Sequence, residues 1–273
     1  MWGMNFHFAK IMLNESSFIE SATWRYIFGV VPLIIISWNT IKATNLKSLP
    51  IKGILLIGFV GLFGFNIFFF IGLQYTTPLN AALIMSLNPI TTIILSKSIL
   101  KTKLTKHHIL GALVSLTGAL FLITKGNISD FSTNKLNTGD LMILIANILF
   151  ALHHVWVKQY REQLSNQYFT TITNTVCLIA FLFLVSFEGN GISFHHSNMY
   201  WISAIGIGCF GTALAYVLWN EGVYRTGANR AGIFMNIVPL TTAVTGLFLG
   251  ESLELFHFVS GFLILLGIFI FKN

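Results

Sequence analysis

Charged residues are scarce in this sequence. Only 9% of its 273 residues are Asp, Glu, Lys or Arg, whereas a soluble domain averages about 25%. Hydrophobic residues make up 55% of the chain, and its mean hydropathy is +0.76. This composition excludes a soluble globular fold, because too few polar side chains are present to cover a surface in water.

Cysteine and acidic residues are also rare. Cys177 and Cys209 are the two cysteines, and both lie in apolar stretches, which argues against a disulfide framework. No Asp or Glu lies in the middle of an apolar stretch, so a carboxylate proton relay, common in coupled transporters, has no obvious member. His153 or His154 could supply a titrating group instead, or the protein could work without proton coupling.

The sequence is rich in apolar runs long enough to cross, as helices, the bilayer core of about 30 Å. The alternating segments of about ten residues that form transmembrane β-barrels are absent. We therefore predict an all-α polytopic membrane protein, whose first span is too short to cross. The ten predicted spans lie near 1–13, 18–38, 52–73, 80–100, 107–124, 140–159, 167–187, 200–221, 231–249 and 254–271.

Basic residues are distributed unevenly between the breaks that separate these spans. Only Lys125 and Lys135 lie in the breaks after odd-numbered spans. Because the side richer in Lys and Arg is cytoplasmic, we expect a cytoplasmic C-terminus. The same placement explains the net charge of +7 without nucleic acid as a partner. The richer side holds Lys42, Lys47, Lys52, Lys101, Lys103, Lys106, Lys158, Arg161, Arg225, Arg230 and Lys272.

Two parts of the chain resemble each other at a fixed offset of 150 residues. Residues 72–111 align with 222–261 without a gap, and the identical pairs include Pro89 with Pro239. Each half then holds five helices, and this odd number places the second copy upside down in the membrane. Inverted repeats are typical of secondary transporters, whose substrate binds near the midplane where the halves meet.

The repeat also predicts the organisation of the chain. We expect a first five-helix repeat at 1–125, an outer linker at 126–138 and a second five-helix repeat at 139–273. The string WGMNFHFAK at residues 2–10 corresponds roughly to FALHHVWVK at 150–158. About ten apolar residues precede the second string in its helix, whereas only Met1 precedes the first. Either the first half of the first helix is missing through a misplaced start codon, or this helix is a half-span that leaves a gap in the bundle.

Two sequence motifs, taken together with the internal repeat, resemble those of the EamA family of the drug/metabolite transporter superfamily. The resemblance is carried by a WGxNF…K pattern at residues 2–10 and by the string LWNEGVYRTGANRAGIFMNIVPLTTAVTGLFLGE at 218–251. Gly250-Glu251 keeps a family Gly-Glu pair, which Leu100-Lys101 replaces in the first repeat. The resemblance implies that the chain exports small metabolites, often amino acids, or drugs across the bacterial inner membrane.

The paired prolines predict bends in the fourth and ninth spans, because proline removes a helical hydrogen bond. Pro89 and Pro239 leave free the carbonyls of Met85 and Met235, which neighbouring helices, hydroxyls or water must satisfy. We predict that both helices bend around a central cavity and that their amides, Asn88 and Asn236, contact a substrate. The alternative is that the prolines only curve the helices for packing.

Polar and aromatic side chains in other spans are further candidates for this cavity. Each polar group must bond to protein or face water, since lipid offers no partner. An interhelical hydrogen bond is the alternative role for each polar group, and a place in the interfacial aromatic belt is the alternative for Trp219. Adjacent histidines on a helix point about 100° apart, which argues against a metal site, and we expect no cofactor. The candidates are Trp2, Asn5, Asn66, His153, His154, Tyr216, Trp219 and Asn220.

Arg25 is the cation placed deepest in a span. It follows Phe18 by seven residues, which puts it about 10 Å from the outer end of its helix at 1.5 Å per residue. A mid-membrane arginine costs about 2.5–3.5 kcal/mol on insertion scales. Its side chain could reach the outer surface, or it could face the cavity and attract a substrate carboxylate. Glu221 and Arg225, four residues apart, predict an ion pair on one helix.

The function that these features favour is a secondary transporter that moves a small amphipathic or amino acid-like metabolite by alternating access between the two halves. Its partners would be that substrate and membrane lipid. A membrane enzyme is disfavoured, because no nucleophile–base pair, metal cluster or phosphate loop lies at the end of a span. A non-transporting membrane assembly or signalling protein is the alternative from another class.

Overall fold

The structure, a computed structural model, describes residues 1–43, 49–124, 126, 137–161, 164–188, 191–248 and 254–272. Within these ranges the chain is all-helical and has no β-strand. Most of the predicted linker, and the Gly250-Glu251 pair, lie outside the described residues.

The helices follow the predicted spans closely. Two of them contain a π-helical stretch, Leu56–Gly64 in α3 and Gly206–Leu214 in α9. These stretches are 150 residues apart, the same offset that relates the two parts of the sequence. The helices are α1 (Trp2–Leu13), α2 (Phe18–Ala43), α3 (Ile51–Tyr75), α4 (Pro78–Met85), α5 (Asn88–Ile99), α6 (Lys106–Ile123), α7 (Thr138–Tyr160), α8 (Asn166–Val185), α9 (Asn198–Thr226), α10 (Ala228–Gly232), α11 (Ile237–Phe248) and α12 (Leu255–Lys272).

Helices α2, α3, α7, α8 and α9 are each long and apolar enough to cross a membrane. This supports the predicted class, an all-helical integral membrane protein. Helix α9 runs to Thr226, five residues beyond the predicted end at 221. The predicted ion pair between Glu221 and Arg225 is confirmed, and it stabilises this last turn.

Neither the fourth nor the ninth predicted span is one continuous helix. Helix α4 ends at Met85, and α5 begins at Asn88, so Pro89 lies in the first turn of α5, where no backbone donor is needed. In the ninth predicted span a 3₁₀ segment, Ile233–Asn236, precedes α11, and Pro239 is the third residue of α11. The predicted mid-helix bends are therefore interruptions that come just before each proline.

A side chain from α7 satisfies the backbone at the first interruption. The Asn147 amide in α7 donates to the carbonyl of Ile84 (2.9 Å) and to that of Met85 (3.3 Å). The Met85 carbonyl is the one that the proline was predicted to free. A buried carbonyl without a partner would cost about 1–3 kcal/mol, so this interhelical bond lets the break persist inside the membrane.

Helices α6 and α12 pack together at backbone distance. Gly111 and Gly118 of α6 face the backbone of α12, and Gly267 of α12 faces Ser115. Small residues allow this approach, which drives helix association in lipid where hydrophobic burial does not. The central region that holds the candidate site is lined by residues of α1, α2, α3, α4, α7, α9 and α11 and of the 3₁₀ segment.

Candidate functional site

A small cavity lies at the centre of the helices, next to both interruptions. Its volume is about 30 Å³, room for roughly one or two water molecules. In this conformation it is too small for a metabolite. The cavity is lined by Trp2, Asn5, Phe6, Arg25, Phe65, Phe69, Met85, Phe150, Tyr216, Met235 and Val238.

The two methionines in the lining occupy equivalent positions of the repeat. Met85 is the last residue of α4, and Met235 lies in the 3₁₀ segment before α11. Both therefore belong to the interrupted parts of the helices, where fewer helical hydrogen bonds restrain the backbone. Because methionine is unbranched and flexible, these two side chains can repack if the cavity widens.

Arg25 points into the protein and its side chain does not reach the outer surface. The residue is 2% exposed. Its Nε donates to the Thr212 hydroxyl at 3.0 Å, and its Nη1 donates to the Asn66 amide oxygen at 2.8 Å. The interpretation that this side chain reaches the outer surface is therefore wrong, because the guanidinium donates hydrogen bonds to side chains of α3 and α9 beside the cavity.

A hydrogen-bonded frame orients the partners of this guanidinium. The Asn66 amide nitrogen donates to the Tyr26 hydroxyl (2.8 Å) and to the Leu62 carbonyl (2.7 Å), which leaves its oxygen facing Arg25. Thr212 lies in the π-helical stretch of α9, and its hydroxyl donates to the Ile207 carbonyl at 3.1 Å. Such stretches are frequent at functional sites. Both partners are neutral, so they fix the cation without neutralising it.

Arg25 has no ion pair with an acidic side chain in the part of the chain that the structure describes. A buried charge without a partner is costly, and arginine presents a planar fork that matches a carboxylate. The cavity therefore offers one unpaired cation at its wall, which an anionic group of a solute could neutralise.

Aromatic rings form an apolar part of the cavity lining, next to this cation. The Trp2 indole donates through Nε1 to the Gly211 carbonyl at 2.9 Å. Its ring centroid lies 5.4 Å from that of Phe150, 5.8 Å from Tyr216 and 4.8 Å from Trp219. Such rings provide an apolar surface for the rest of an amphipathic solute.

The structure brings four of the predicted site residues to the cavity and places a fifth directly behind it. Trp2, Asn5, Arg25 and Tyr216 line the cavity, and Asn66 holds Arg25. Trp219 contacts Trp2 and lines an open groove of about 370 Å³ beside Met1, between α9 and the helices that follow it, and this groove shares Trp2 and Val238 with the cavity lining. Their roles in substrate binding stay predictions.

The two predicted amides next to the prolines are not among the residues that line the cavity. The Asn88 amide donates to the Asn147 carbonyl at 3.2 Å, and the Asn236 amide donates to the Ser115 hydroxyl at 2.9 Å. Both residues are fully buried. These bonds match the alternative role, in which the amides connect helices.

The remaining predicted residues are also buried in packing contacts near the cavity. His153 stacks on Phe150 with ring centroids 5.5 Å apart. His154 places Nδ1 3.5 Å from the Thr92 hydroxyl, and the Asn220 amide donates to the Thr170 hydroxyl at 3.0 Å. None of the three lines the cavity in this conformation.

Sequence reasoning missed the apolar half of the lining. Phe6, Phe65, Phe69, Phe150 and Val238 line the cavity, but a phenylalanine or valine in a membrane span has the same sequence signal whether it faces lipid or a cavity. The sequence points to Met85 and Met235 only through their carbonyls, and the structure places both residues in the cavity lining.

Comparisons with known proteins identify the family. The EamA-like transporter family matches residues 1–124 and 137–272. The uncharacterized transporter YyaM of Bacillus subtilis (strain 168) is 32% identical over 269 residues, which cover 97% of this chain and 88% of YyaM. The uncharacterized transporter YetK of the same organism is 26% identical over 264 residues, or 96% of this chain and 80% of YetK. A solved crystal structure shares the fold, with a TM-score of 0.79, 16% identity, and coverage of 99% of this chain and 93% of that chain. The chain belongs to the EamA-like transporter family.

Proposed function

We propose that this transporter is a secondary exporter, which moves a small amino acid-like or amphipathic metabolite across the bacterial inner membrane by alternating access. The observation that carries the proposal is the Arg25 guanidinium, which borders the central cavity and lacks an acidic partner among the described residues. A substrate carboxylate would complete this ion pair, and its hydrogen bonds to a charged donor contribute about 1.5–3 kcal/mol.

The rest of the lining favours a substrate that also has an apolar part. Trp2, Phe150 and Tyr216 present ring surfaces next to the cation. A cavity of about 30 Å³ must widen before a metabolite fits, so binding and conformational change are coupled. The interruptions at Met85 and at Met235 are the places where the helices can move.

Alternating access requires two related halves that can tilt about the cavity. We propose ten helices in two inverted repeats, 1–125 and 139–273, joined by a linker at 126–138 on the outer face, with a cytoplasmic C-terminus. The π-helical stretches Leu56–Gly64 and Gly206–Leu214 are separated by the same 150 residues as the similar segments of the sequence, which supports the repeat.

On the face proposed as outer, polar bonds connect the two repeats. Glu15 accepts from the Ser197 backbone N–H at 2.9 Å and from its hydroxyl at 2.5 Å. The Glu20 carboxylate contacts the His196 imidazole at 2.9 Å. These bonds join the turn between α1 and α2, and the first turn of α2, to the segment before α9, which supports a conformation that is closed on this face.

The proposal can be tested in cells with and without the gene, on media that contain toxic amino acid analogues or cationic drugs. We expect the gene to raise the tolerated concentration of at least one amino acid analogue several-fold and to lower the amount of it retained in preloaded cells, whereas resistance to cationic drugs alone would contradict the carboxylate role of Arg25. An importer would instead sensitise the cells. Unchanged tolerance and retention across the panel, with the folded protein present in the membrane, would favour the assembly or signalling alternative.

A further inference from the structure

An open groove with a volume of about 670 Å³ lies on the outside of the helices, between α5 and α6. Its walls are apolar and include Ile90, Leu104 and Ala112. Ile94 and Ile109, also in the lining, are 58% and 50% exposed, so the groove faces away from the protein interior. In a membrane this surface meets lipid and not water.

Lysines surround one end of this groove, which we name the basic groove. Lys97 and Ser98, near the end of α5, form part of its lining, and both are exposed. Lys101 and Lys103 lie in the connection that closes this end, and Lys106 is the first residue of α6. The other end of the groove, beside Ile90 and Leu113, carries no charge.

These lysines are not neutralised by the protein. No Asp or Glu occurs in the sequence from residue 21 to residue 129. Among the described residues, the ion pairs involve Arg161, Arg225 and His196, and none of the lysines of the basic groove. The groove therefore combines apolar walls with a cluster of lysines, at one end, that have no acidic partner among the described residues.

The second repeat does not reproduce this combination. At the offset of 150 residues, Lys97 corresponds to Leu247 and Lys101 to Glu251. Ala112, whose small side chain leaves room in the groove, corresponds to Phe262. The basic groove is thus a property of the first repeat and does not follow from the fold alone.

We propose that the basic groove binds an anionic glycerophospholipid, with an acyl chain between α5 and α6 and its phosphate at Lys97 and Ser98. Basic sites between transmembrane helices are suited to anionic headgroups, and each nearby lysine contributes about a fivefold increase in lipid affinity. A soluble phosphate has no acyl chain and would leave the apolar walls of the groove unoccupied. The bound lipid would hold apart α5 and α6, next to the interruption that precedes α5.

The test uses the full-length protein in bilayers that contain a brominated lipid, which quenches nearby tryptophan. Ile109→Trp reports on the groove, and Val259→Trp, its counterpart in the second repeat, is the matched lipid-facing control, with the signal of the six native tryptophans subtracted. We expect Ile109→Trp to reach half-quenching at a mole fraction of brominated phosphatidylglycerol at least fivefold lower than of brominated phosphatidylcholine. Val259→Trp should show no such preference.

Lys97 variants separate a built site from ordinary surrounding lipid. In the Ile109→Trp background, Lys97→Gln should reduce the preference for phosphatidylglycerol about fivefold, whereas Lys97→Arg should retain it. Equal quenching by the two lipids, an equal preference at Val259→Trp, or a preference that Lys97→Gln leaves intact would overturn the proposal. Absence of quenching by either lipid would also overturn it, because no acyl chain would then enter the groove.

Discussion

Replacing Arg25 with methionine is expected to reduce the transport of a carboxylate-bearing substrate by about ten- to hundredfold. This range follows from losing hydrogen bonds to a charged group, about 1.5–3 kcal/mol, at 1.4 kcal/mol per tenfold change. Folding should be weakened as well, because the variant leaves the buried Asn66 amide oxygen without its donor, at a cost of about 1–3 kcal/mol, so flux must be compared per amount of folded protein. The measurement is the initial flux in proteoliposomes, divided by the amount of monodisperse protein.

Two further variants separate substrate binding from folding at this site. Arg25→Lys keeps the charge but loses the planar fork, so its flux should lie between those of wild type and Arg25→Met. Arg161 is also buried, but it pairs with Glu221 at 2.5 Å and donates to the Asn220 carbonyl at 3.0 Å. Arg161→Met should therefore lower the yield of folded protein. If Arg25→Met lost flux only in proportion to folded protein, the proposed role of Arg25 would be wrong.

Changing Gly111 to alanine is expected to destabilise the folded protein by about 1–3 kcal/mol, the usual cost of overpacking. A Cβ atom at this position would lie 2.6 Å from the Gly267 carbonyl oxygen and 2.6 Å from the backbone nitrogen of Phe271. Both are backbone atoms, so α12 must move away from α6. The thermal unfolding midpoint of the protein in detergent should fall by several degrees, at about 2–4 °C per kcal/mol.

The repeat supplies the matched control for this substitution. Gly261 is the counterpart of Gly111 at the offset of 150 residues, but a Cβ there would meet only the Leu240 side chain at 3.6 Å, an ordinary contact. Because alanine favours helix over glycine by about 1 kcal/mol, Gly261→Ala should leave the midpoint unchanged or raise it. Equal midpoints for the two variants would contradict the close packing of α6 on α12.

The helices could be predicted from sequence because lipid allows few alternatives. A backbone within a bilayer must satisfy its hydrogen bonds internally, so an apolar run of sufficient length is a helix. For example, the spans predicted at 140–159 and 167–187 correspond to the helices α7 (Thr138–Tyr160) and α8 (Asn166–Val185). The prolines marked where two spans deviate, but the 3₁₀ segment Ile233–Asn236 depends on packing that a proline does not encode.

The site was less accessible to sequence reasoning, because its parts meet only after folding. Arg25 could be singled out, since an arginine inside a span is costly. Its partners could not, because Thr212 and Asn66 lie 187 and 41 residues away in sequence. Buried amides such as Asn88 give the same sequence signal whether they contact a substrate or a neighbouring helix, and only the structure shows the bond to Asn147.

The central claim is that the cavity opens to each side of the membrane in turn. It is tested most directly by measuring whether a residue of the cavity lining is accessible from each side. Met235→Cys, in a chain without Cys177 and Cys209, would be exposed to a membrane-impermeant maleimide in sealed right-side-out and inside-out vesicles. Ala146→Cys, at a buried position outside the cavity lining, is the control and should react from neither side. Alternating access predicts that Met235→Cys reacts from both sides, whereas reaction from one side only, or from neither, would contradict it.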